Sequence, residues 1–290
     1  MLIALYNRVF DEDDVDLMEH LLDALKDRNM TAVIFEGMIE PLKKFNILPE
    51  NFEIFSREKE LTDNIKCLLS LGGDGTILDT VTYIKDKNIP VLGINLGRLG
   101  FLSGTPSDEM EHALDAIQTD NFVHDKRSLI HLDSSQPLFD DPFALNEFSI
   151  KSNSSTLLVI HTYINGEFLC SYWADGIIVS TPTGSTGYSL SCGGPIIFPQ
   201  AGNFVITPVA PHNLNVRPVV ISQENIVSFE IEGRVKQFMC TLDSRSKTIT
   251  QDVSLAVRKE KFGINLIRLE GQNFLQTLRS KMFWGIDRRN

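Results

Sequence analysis

The sequence predicts an N-terminal Rossmann-like α/β domain followed by a C-terminal all-β, sandwich-like domain, and three observations carry this. Strand and helix patterns alternate from Leu2 to Ile117. From about Ser128 the chain changes to short β-rich runs separated by turn signals, with helical spacing returning only near the end. A glycine-rich turn, Gly72-Gly73-Asp74-Gly75-Thr76, joins an apolar strand to a helix inside the first part.

The elements follow in order. Leu2 to Tyr6 reads as a buried strand, and Val15, Met18, Leu21, Leu22 and Leu25 take helical spacing behind an acidic start, Asp11 to Asp16, that suits the helix dipole. Thr31 to Phe35 is strand-like and Met38 to Phe45 helical. Cys67 to Leu71 is a short apolar strand, Thr76 to Ile84 a helix, Val91 to Asn95 a strand after Pro90, and Asp108 to Ile117 a helix. The boundary falls near His124, giving domains 1–124 and 125–270. In the second, Leu157 to Ile164 and Phe168 to Trp173 flank Asn165-Gly166, a strong hairpin signal. Phe204 to Thr207, Ile226 to Ile231, Gln237 to Leu242, Ser254 to Arg258 and Ile264 to Leu269 are further strands, a series that suits a sandwich or closed sheet. Phe274, Leu278 and Met282 resume helical spacing in a C-terminal segment, 271–290, able to pack back on the first domain.

At 290 residues, 42% hydrophobic and 22% charged, the chain has globular composition and length for two cores. A net charge of -11 supplies no basic footprint for nucleic acid or an anionic membrane, so neither is an expected partner. Anionic small ligands stay open, because backbone N–H groups and a few local cations can neutralise them. Four scattered cysteines, Cys67, Cys170, Cys192 and Cys240, form no C-x-x-C pair and suggest neither a zinc site nor a disulfide framework. Met1 to Tyr6 lacks a basic leader and runs into acidic residues, and no apolar run nears the ~20 residues of a membrane span. A cytoplasmic setting is expected.

Three segments carry candidate chemistry. In Lys66 to Leu78 a strand meets a three-glycine turn that opens a helix, the arrangement that lets backbone N–H groups approach phosphate oxygens. Asp74 is the odd member: a carboxylate beside a polyanion must hold a cation or take a proton from an attacking hydroxyl, unless it merely caps the helix. Neither a G-x-x-x-x-G-K-[ST] nor a G-x-G-x-x-G run occurs, so phosphate would be held in another way. Asp175 to Ser191 is a strand opening into hydroxyls and glycines, suited to ribose, phosphate and adenine edges, with Tyr188 able to stack; a plain polar loop would look similar. Asn146-Glu147 interrupts an apolar strand and, taken alone, equally describes an edge strand.

These segments, in this order and at about this spacing, resemble the NAD kinase family. Gly193-Gly194-Pro195, Asn95 to Leu102, Pro211-His212, Arg217-Pro218 and Asp243-Ser244 extend the likeness over nearly the whole chain. The resemblance implies a kinase that moves the terminal phosphate of ATP, or in some members of polyphosphate, onto the adenosine ribose 2′-hydroxyl of NAD, with the site between the two domains. It implies Asp74 as catalytic base or orienting group, with Gly75 in close backbone contact. Asn146 and Glu147 would hold the adenosine part and Asp175 the second nucleoside. Phe101 would border the adenine pocket. Thr183, Ser185, Thr186, Gly187, Tyr188, Ser189, Leu190, Ser191, Ala210, His212 and Arg245 complete the NAD-binding set. Gly72, Gly73, Thr76 and Arg98 would serve the phosphate donor. The resemblance also implies magnesium arriving with ATP and no protein-held metal, NAD and ATP as substrates, and a homodimer or homotetramer. Trp173, Asp79 and Arg245 depart from residues common in the family, where arginine, a basic residue and glutamine stand. Lipid kinases of the diacylglycerol and sphingosine type share the Gly-Gly-Asp-Gly-Thr turn and give the alternative enzyme, and a catalytically inactive NAD(P)-binding sensor is the non-enzyme alternative.

Overall fold

The computed structural model describes residues 1–97, 99–154, 156–232 and 236–283. Two compact units emerge, one made of Met1–Lys126 with Ile264–Asn290 and the other of Arg127–Gly263. The sequence boundary at His124 falls close to the first junction, and the return to the first unit begins at Ile264, inside a strand, rather than at 271.

In the first unit β1 (Leu2–Asn7), β2 (Thr31–Phe35), β3 (Phe52–Phe55), β4 (Ile65–Leu71) and β5 (Val91–Asn95) form a parallel sheet in the order β3-β2-β1-β4-β5. Helices α1 (Val15–Asp27), α2 (Glu36–Lys44), α3 (Asp74–Ile84) and α4 (Met110–Gln118) connect or flank these strands. The apolar runs of β1 and β4 are buried almost throughout, as expected of parallel strands covered on both faces. Met18, Leu21 and Leu25 of α1, Met38 and Leu42 of α2, and Leu114 and Ile117 of α4 share one core with Ile3, Leu5 and Leu69. The chain leaves β1 toward β2 on one side and later returns to place β4 on the other, so the strand order reverses between β1 and β4. Beyond the carboxyl ends of two such strands lies the crevice where open α/β sheets bind ligands.

The second unit holds the greater part of β7 (Val123–Ser134), which follows a two-residue β6 (Thr105–Pro106), then β8 (Phe143–Ala144), β9 (Glu147–Ser152), β10 (Leu158–Ile164), β11 (Glu167–Ala174) and β12 (Gly176–Ser180). A short α5 (Tyr188–Ser191) precedes β13 (Asn203–Val209), β14 (Val219–Ser222), β15 (Val227–Glu232), β16 (Gln237–Leu242), β17 (Arg245–Thr250) and β18 (Leu255–Arg268). An antiparallel sheet runs β14-β13-β12-β9-β16-β17. A second is built on β11-β10-β15 and the first part of β18. Phe148, Ile150, Ile177 and Phe204 from one sheet meet Ile160, Tyr172, Phe229 and Val257 from the other in a single core, the sandwich expected. Asn165 (φ 52°) and Gly166 (φ 84°) make the tight turn between β10 and β11.

The sequence differs from the structure at β18, α4, β3 and β7. Ser254 to Arg258 and Ile264 to Leu269 read as two strands, but β18 is continuous. Between them Glu260 is buried and accepts from His131 Nδ1, and Arg258 Nε lies 2.7 Å from Asp133 Oδ2. The helix expected from Asp108 begins at Met110 after a 3-10 turn at Ser107–Glu109. β3 and β7 gave no clear sequence signal, one being four residues long and the other alternating charges with apolar residues. The C-terminal helical spacing is α6 (Phe274–Met282), capped by the Asn273 side chain.

Candidate active site

The turn after β4 places Asp74 at the first position of α3. Gly73 occupies the N-cap without any side-chain cap bond, so Asp74 is not acting as a helix cap. Its carboxylate turns instead to the loop after β5. Phe101 N–H donates to Oδ2 at 2.8 Å, and the N–H groups of Leu102 and Ser103 donate to Oδ1 at 3.0 and 2.9 Å. Ser103 Oγ closes the arrangement by donating to the Gly72 carbonyl at 2.7 Å. Three backbone donors thus fix the carboxylate at the reversal point of the sheet, while the flanking Gly73 and Gly75 stay exposed. Gly100 makes the approach sterically feasible: a Cβ there would lie 1.8 Å from Asp74 Oδ1. Gly100→Ala is therefore expected to displace Asp74 and lower turnover at least ~10-fold, the scale on which misplaced catalytic groups act; steady-state kinetics with a thermal melt would check it, and unchanged kcat would refute it.

In the second unit a second carboxylate does the same for Asn146-Glu147. Asp243, in the turn between β16 and β17 with φ 51°, accepts from Leu145 N–H at 2.8 Å on Oδ2 and from the N–H groups of Asn146 and Glu147 at 2.8 and 3.1 Å on Oδ1. Burial pushes its carboxyl above the usual range, and these three donors with the nearby Arg245 oppose that. β9 then alternates: Phe148 and Ile150 enter the core, and Glu147, Ser149 and Lys151 occupy the other face. Ser180 is the cross-strand partner of Glu147. Asn146 Oδ1, Glu147 Oε2 and Ser180 Oγ are buried without a hydrogen-bond partner among the described residues. Burial, then the neighbouring Asp243, push the Glu147 carboxyl up to about 8, with Lys151 opposing. The helical loop closes over this group because two of its residues lack side chains. A Cβ on Gly184 would meet the Asn146 carbonyl oxygen at 2.1 Å, and one on Gly187 would lie 3.3 Å from Glu147 Oε2. Unpartnered buried acceptors are costly, and a ligand bearing hydroxyl or amino donors would satisfy them.

The hydroxyls of the Asp175-to-Ser191 loop divide into two sets. Thr181 Oγ1 donates to the Leu145 carbonyl at 2.6 Å, Arg127 Nη1 donates to Thr183 Oγ1, Ser185 Oγ donates to the Pro182 carbonyl, and Ser189 Oγ pairs with Thr207 Oγ1. All four residues are buried, so Thr183, Ser185 and Ser189 hold the loop's shape with hydroxyls already engaged. Thr186, Gly187, Tyr188 and Leu190 are partly exposed and Ser191 exposed. Lys151 Nζ sits 4.0 Å from the centre of the Tyr188 ring. Burial pushes the Cys192 thiol up, consistent with packing rather than nucleophilic chemistry.

The other predicted residues are placed as follows. Phe101 contributes its N–H to Asp74 while its ring lies 6.4 Å from that of Phe274. Thr76 is buried and its N–H donates to the Gly73 carbonyl at 3.0 Å. Asp175 is exposed beside Tyr188, and Ala210 adopts φ 44°. His212 is exposed, its N–H donating to the Trp173 carbonyl at 2.7 Å. Arg245 donates to the carbonyls of Asp141 and Phe143, which ties the segment before Asn146 in place. Arg98 lies outside the described residues. Sequence reasoning did not select Gly100, Leu102, Ser103, Ser180 or Asp243 for the site. The last had a visible signal, an aspartate in a tight turn between strands; the others act through backbone groups or cross-strand register, which residue type does not announce.

In the first unit a carboxylate is fixed at a glycine turn on the reversal point of an α/β sheet, an arrangement suited to phosphoryl transfer onto a hydroxyl, and in the second a cradle of unmet acceptors lies under a hydroxyl-rich loop. Known proteins narrow the class. The model of the ATP-NAD kinase N-terminal domain matches residues 4–122, and that of the C-terminal domain matches residues 145–269. An NAD kinase of Cytophaga hutchinsonii is 48% identical over 293 residues, covering all of both chains, and one of Christiangramia forsetii is 38% identical, also end to end. Among solved structures, yeast NADH kinase complexed with NADH superimposes with a TM-score of 0.87 at 23% identity, over 99% of this chain and 89% of that one. An Archaeoglobus fulgidus NAD kinase in complex with ATP gives 0.73 at 26% identity, over 97% and 99%. The chain belongs to the NAD kinase family. None of these matches points to a lipid kinase or a non-catalytic sensor.

Proposed function

We propose that this enzyme transfers the terminal phosphate of ATP to the 2′-hydroxyl of the adenosine ribose of NAD, giving NADP and ADP. The observation that carries the reading is the Asp74 clamp. A carboxylate offers about four lone-pair positions; Oδ1 takes two N–H donors and Oδ2 one, which leaves Oδ2 an acceptor position for a substrate hydroxyl. A hydroxyl donating there is oriented for attack on the terminal phosphorus. As the new P–O bond forms and the bond to the ADP oxygen breaks, the hydroxyl proton passes to Asp74 Oδ2. In a loose phosphoryl-transfer transition state that proton leaves late, so orientation is the larger part of the task.

Asn146 Oδ1 and Glu147 Oε2 supply acceptors for the hydroxyl and amino donors of the adenosine moiety, and Thr186, Tyr188 and Ser191 offer the loop's accessible polar groups. Asp175, exposed beside Tyr188, would contact the second nucleoside. Among the described residues no group of three or more His, Cys, Asp or Glu side chains could hold a metal ion. Magnesium would arrive on the ATP phosphates, where it neutralises charge on the transferred group. Exposed Phe168 and Trp173 on β11, a sheet-edge strand, favour a homodimer or homotetramer. Four unpaired thiols favour the cytoplasm, and among the described residues no helix is long and apolar enough to cross a membrane.

Purified protein given ATP, magnesium and NAD is expected to form NADP, read by reduction through an NADP-specific dehydrogenase. No product from NAD or NADH with either ATP or polyphosphate would overturn the reading.

A further inference from the structure

Arg8 is a cation of the first unit that the site described so far does not use. Arg8 follows β1 immediately, and the glycine turn follows β4, so the two loops flank the reversal point of the sheet from its two sides. The Arg8 side chain is 54% exposed, yet it is not at large: its Nε lies 3.3 Å from Asp79 Oδ2, and that carboxylate is only 17% exposed. The Tyr6 hydroxyl also approaches Asp79 Oδ2, at 3.5 Å. Asp79 sits four residues after Gly75, one turn along the same face of α3. Arg8 Nη1 reaches that face at its start, 3.9 Å from where a Gly75 Cβ would stand. With no side chain at Gly75, the guanidinium lies beside open backbone next to Asp74.

This geometry also accounts for the acid at position 79. Where many relatives are expected to carry a basic residue, Asp79 presents none, but it fixes an arginine arriving from the neighbouring strand. A guanidinium with one edge on a carboxylate still presents N–H donors on its other edge, in the planar fork that suits phosphate oxygens. We infer that Arg8, positioned by Asp79, binds the terminal phosphates of the phosphate donor beside the Gly72-to-Gly75 turn. The inference rests on the reading of ATP as donor and adds the residue that supplies positive charge to it.

The test separates donor from acceptor. Arg8→Ala is expected to raise the KM for ATP about 10- to 100-fold, the range for losing a charge-assisted hydrogen bond, with the KM for NAD held within twofold. Arg8→Lys keeps charge without the fork and should fall between. Asp79→Asn should raise the KM for ATP less than Arg8→Ala does. Inhibition by inorganic tripolyphosphate, which has phosphates but no adenosine, should weaken in Arg8→Ala by the same factor as ATP binding. Far-ultraviolet circular dichroism and a thermal melt establish that each variant folds, and Arg8→Gln replaces Arg8→Ala if that variant does not. A KM for ATP within twofold of wild type, equal rises for ATP and NAD, or unchanged tripolyphosphate inhibition would overturn the assignment. Failure of the wild type to make NADP from NAD and ATP would instead overturn the reading beneath it.

Discussion

Asp74→Asn is expected to lower kcat for NADP formation by about 10²–10⁴, the range for losing a positioned proton acceptor. The hydrogen-bond geometry says why even this near-isosteric change is severe. Asparagine retains one oxygen, which can still accept from Leu102 and Ser103, but it places an NH2 group opposite the Phe101 N–H. Donor then faces donor, the Phe101 end of the loop loses its anchor, and the substrate hydroxyl meets an amide that cannot take its proton. The lost bond costs on the order of 1–3 kcal/mol locally, well below the stability of a two-domain chain, so the variant should remain folded. Single-turnover kinetics beside a melting curve would decide the matter: a folded variant with near-normal turnover would reduce Asp74 to an anchor for the 101–103 loop.

Glu147→Gln should remove a pH dependence from both stability and NAD binding. The folded-state carboxyl is pushed up to about 8 from an ordinary value of 4.5, by burial first and Asp243 second. A raised carboxyl favours the folded protein while protonated, so the contribution is fully present below about pH 4.5 and is lost as pH rises through about 8. Over that window the ligand-free protein should lose stability on the order of a few kcal/mol. Denaturant midpoints measured from pH 5 to pH 9 should slope downward in the wild type and be flatter in Glu147→Gln. NAD binding should show the opposite sign. A ribose hydroxyl donating to Glu147 favours its ionised form, so affinity should rise with pH toward 8 and level off above it. Calorimetric titration of both proteins at pH 6.5 and 8.5 checks this: an equal pH slope in wild type and variant would show that Glu147 does not titrate at the ligand.

The two carboxylates Asp74 and Asp243 show where sequence reading succeeded and where it stopped. Asp74 stood out because a charged residue in a strand–glycine–helix turn is chemically conspicuous. Asp243 reads as one more turn residue, although it fixes Asn146-Glu147 with the same three-donor pattern. The partners in both cases are backbone N–H groups, which every residue but proline carries, so no side-chain pattern marks them. The dense hydroxyl loop was legible as a special segment, but not the split between Thr183, Ser185 and Ser189, which hold its shape, and Thr186, Tyr188 and Ser191, which remain accessible.

By itself the sequence determined the alternation of strand and helix, the change to β structure near residue 124, the glycine turn bearing Asp74 and the family. Those are local matters, set by side-chain periodicity and by residues that few backbone conformations tolerate. The tertiary structure decided which backbone donors hold each carboxylate, that Glu260 is buried in one continuous β18, that Glu147 is set among unmet acceptors, and that Arg8 reaches across from β1 to Asp79. These depend on sheet order and on approaches of a few ångströms between residues distant in the chain, where burial and charge proximity act and sequence spacing carries no information.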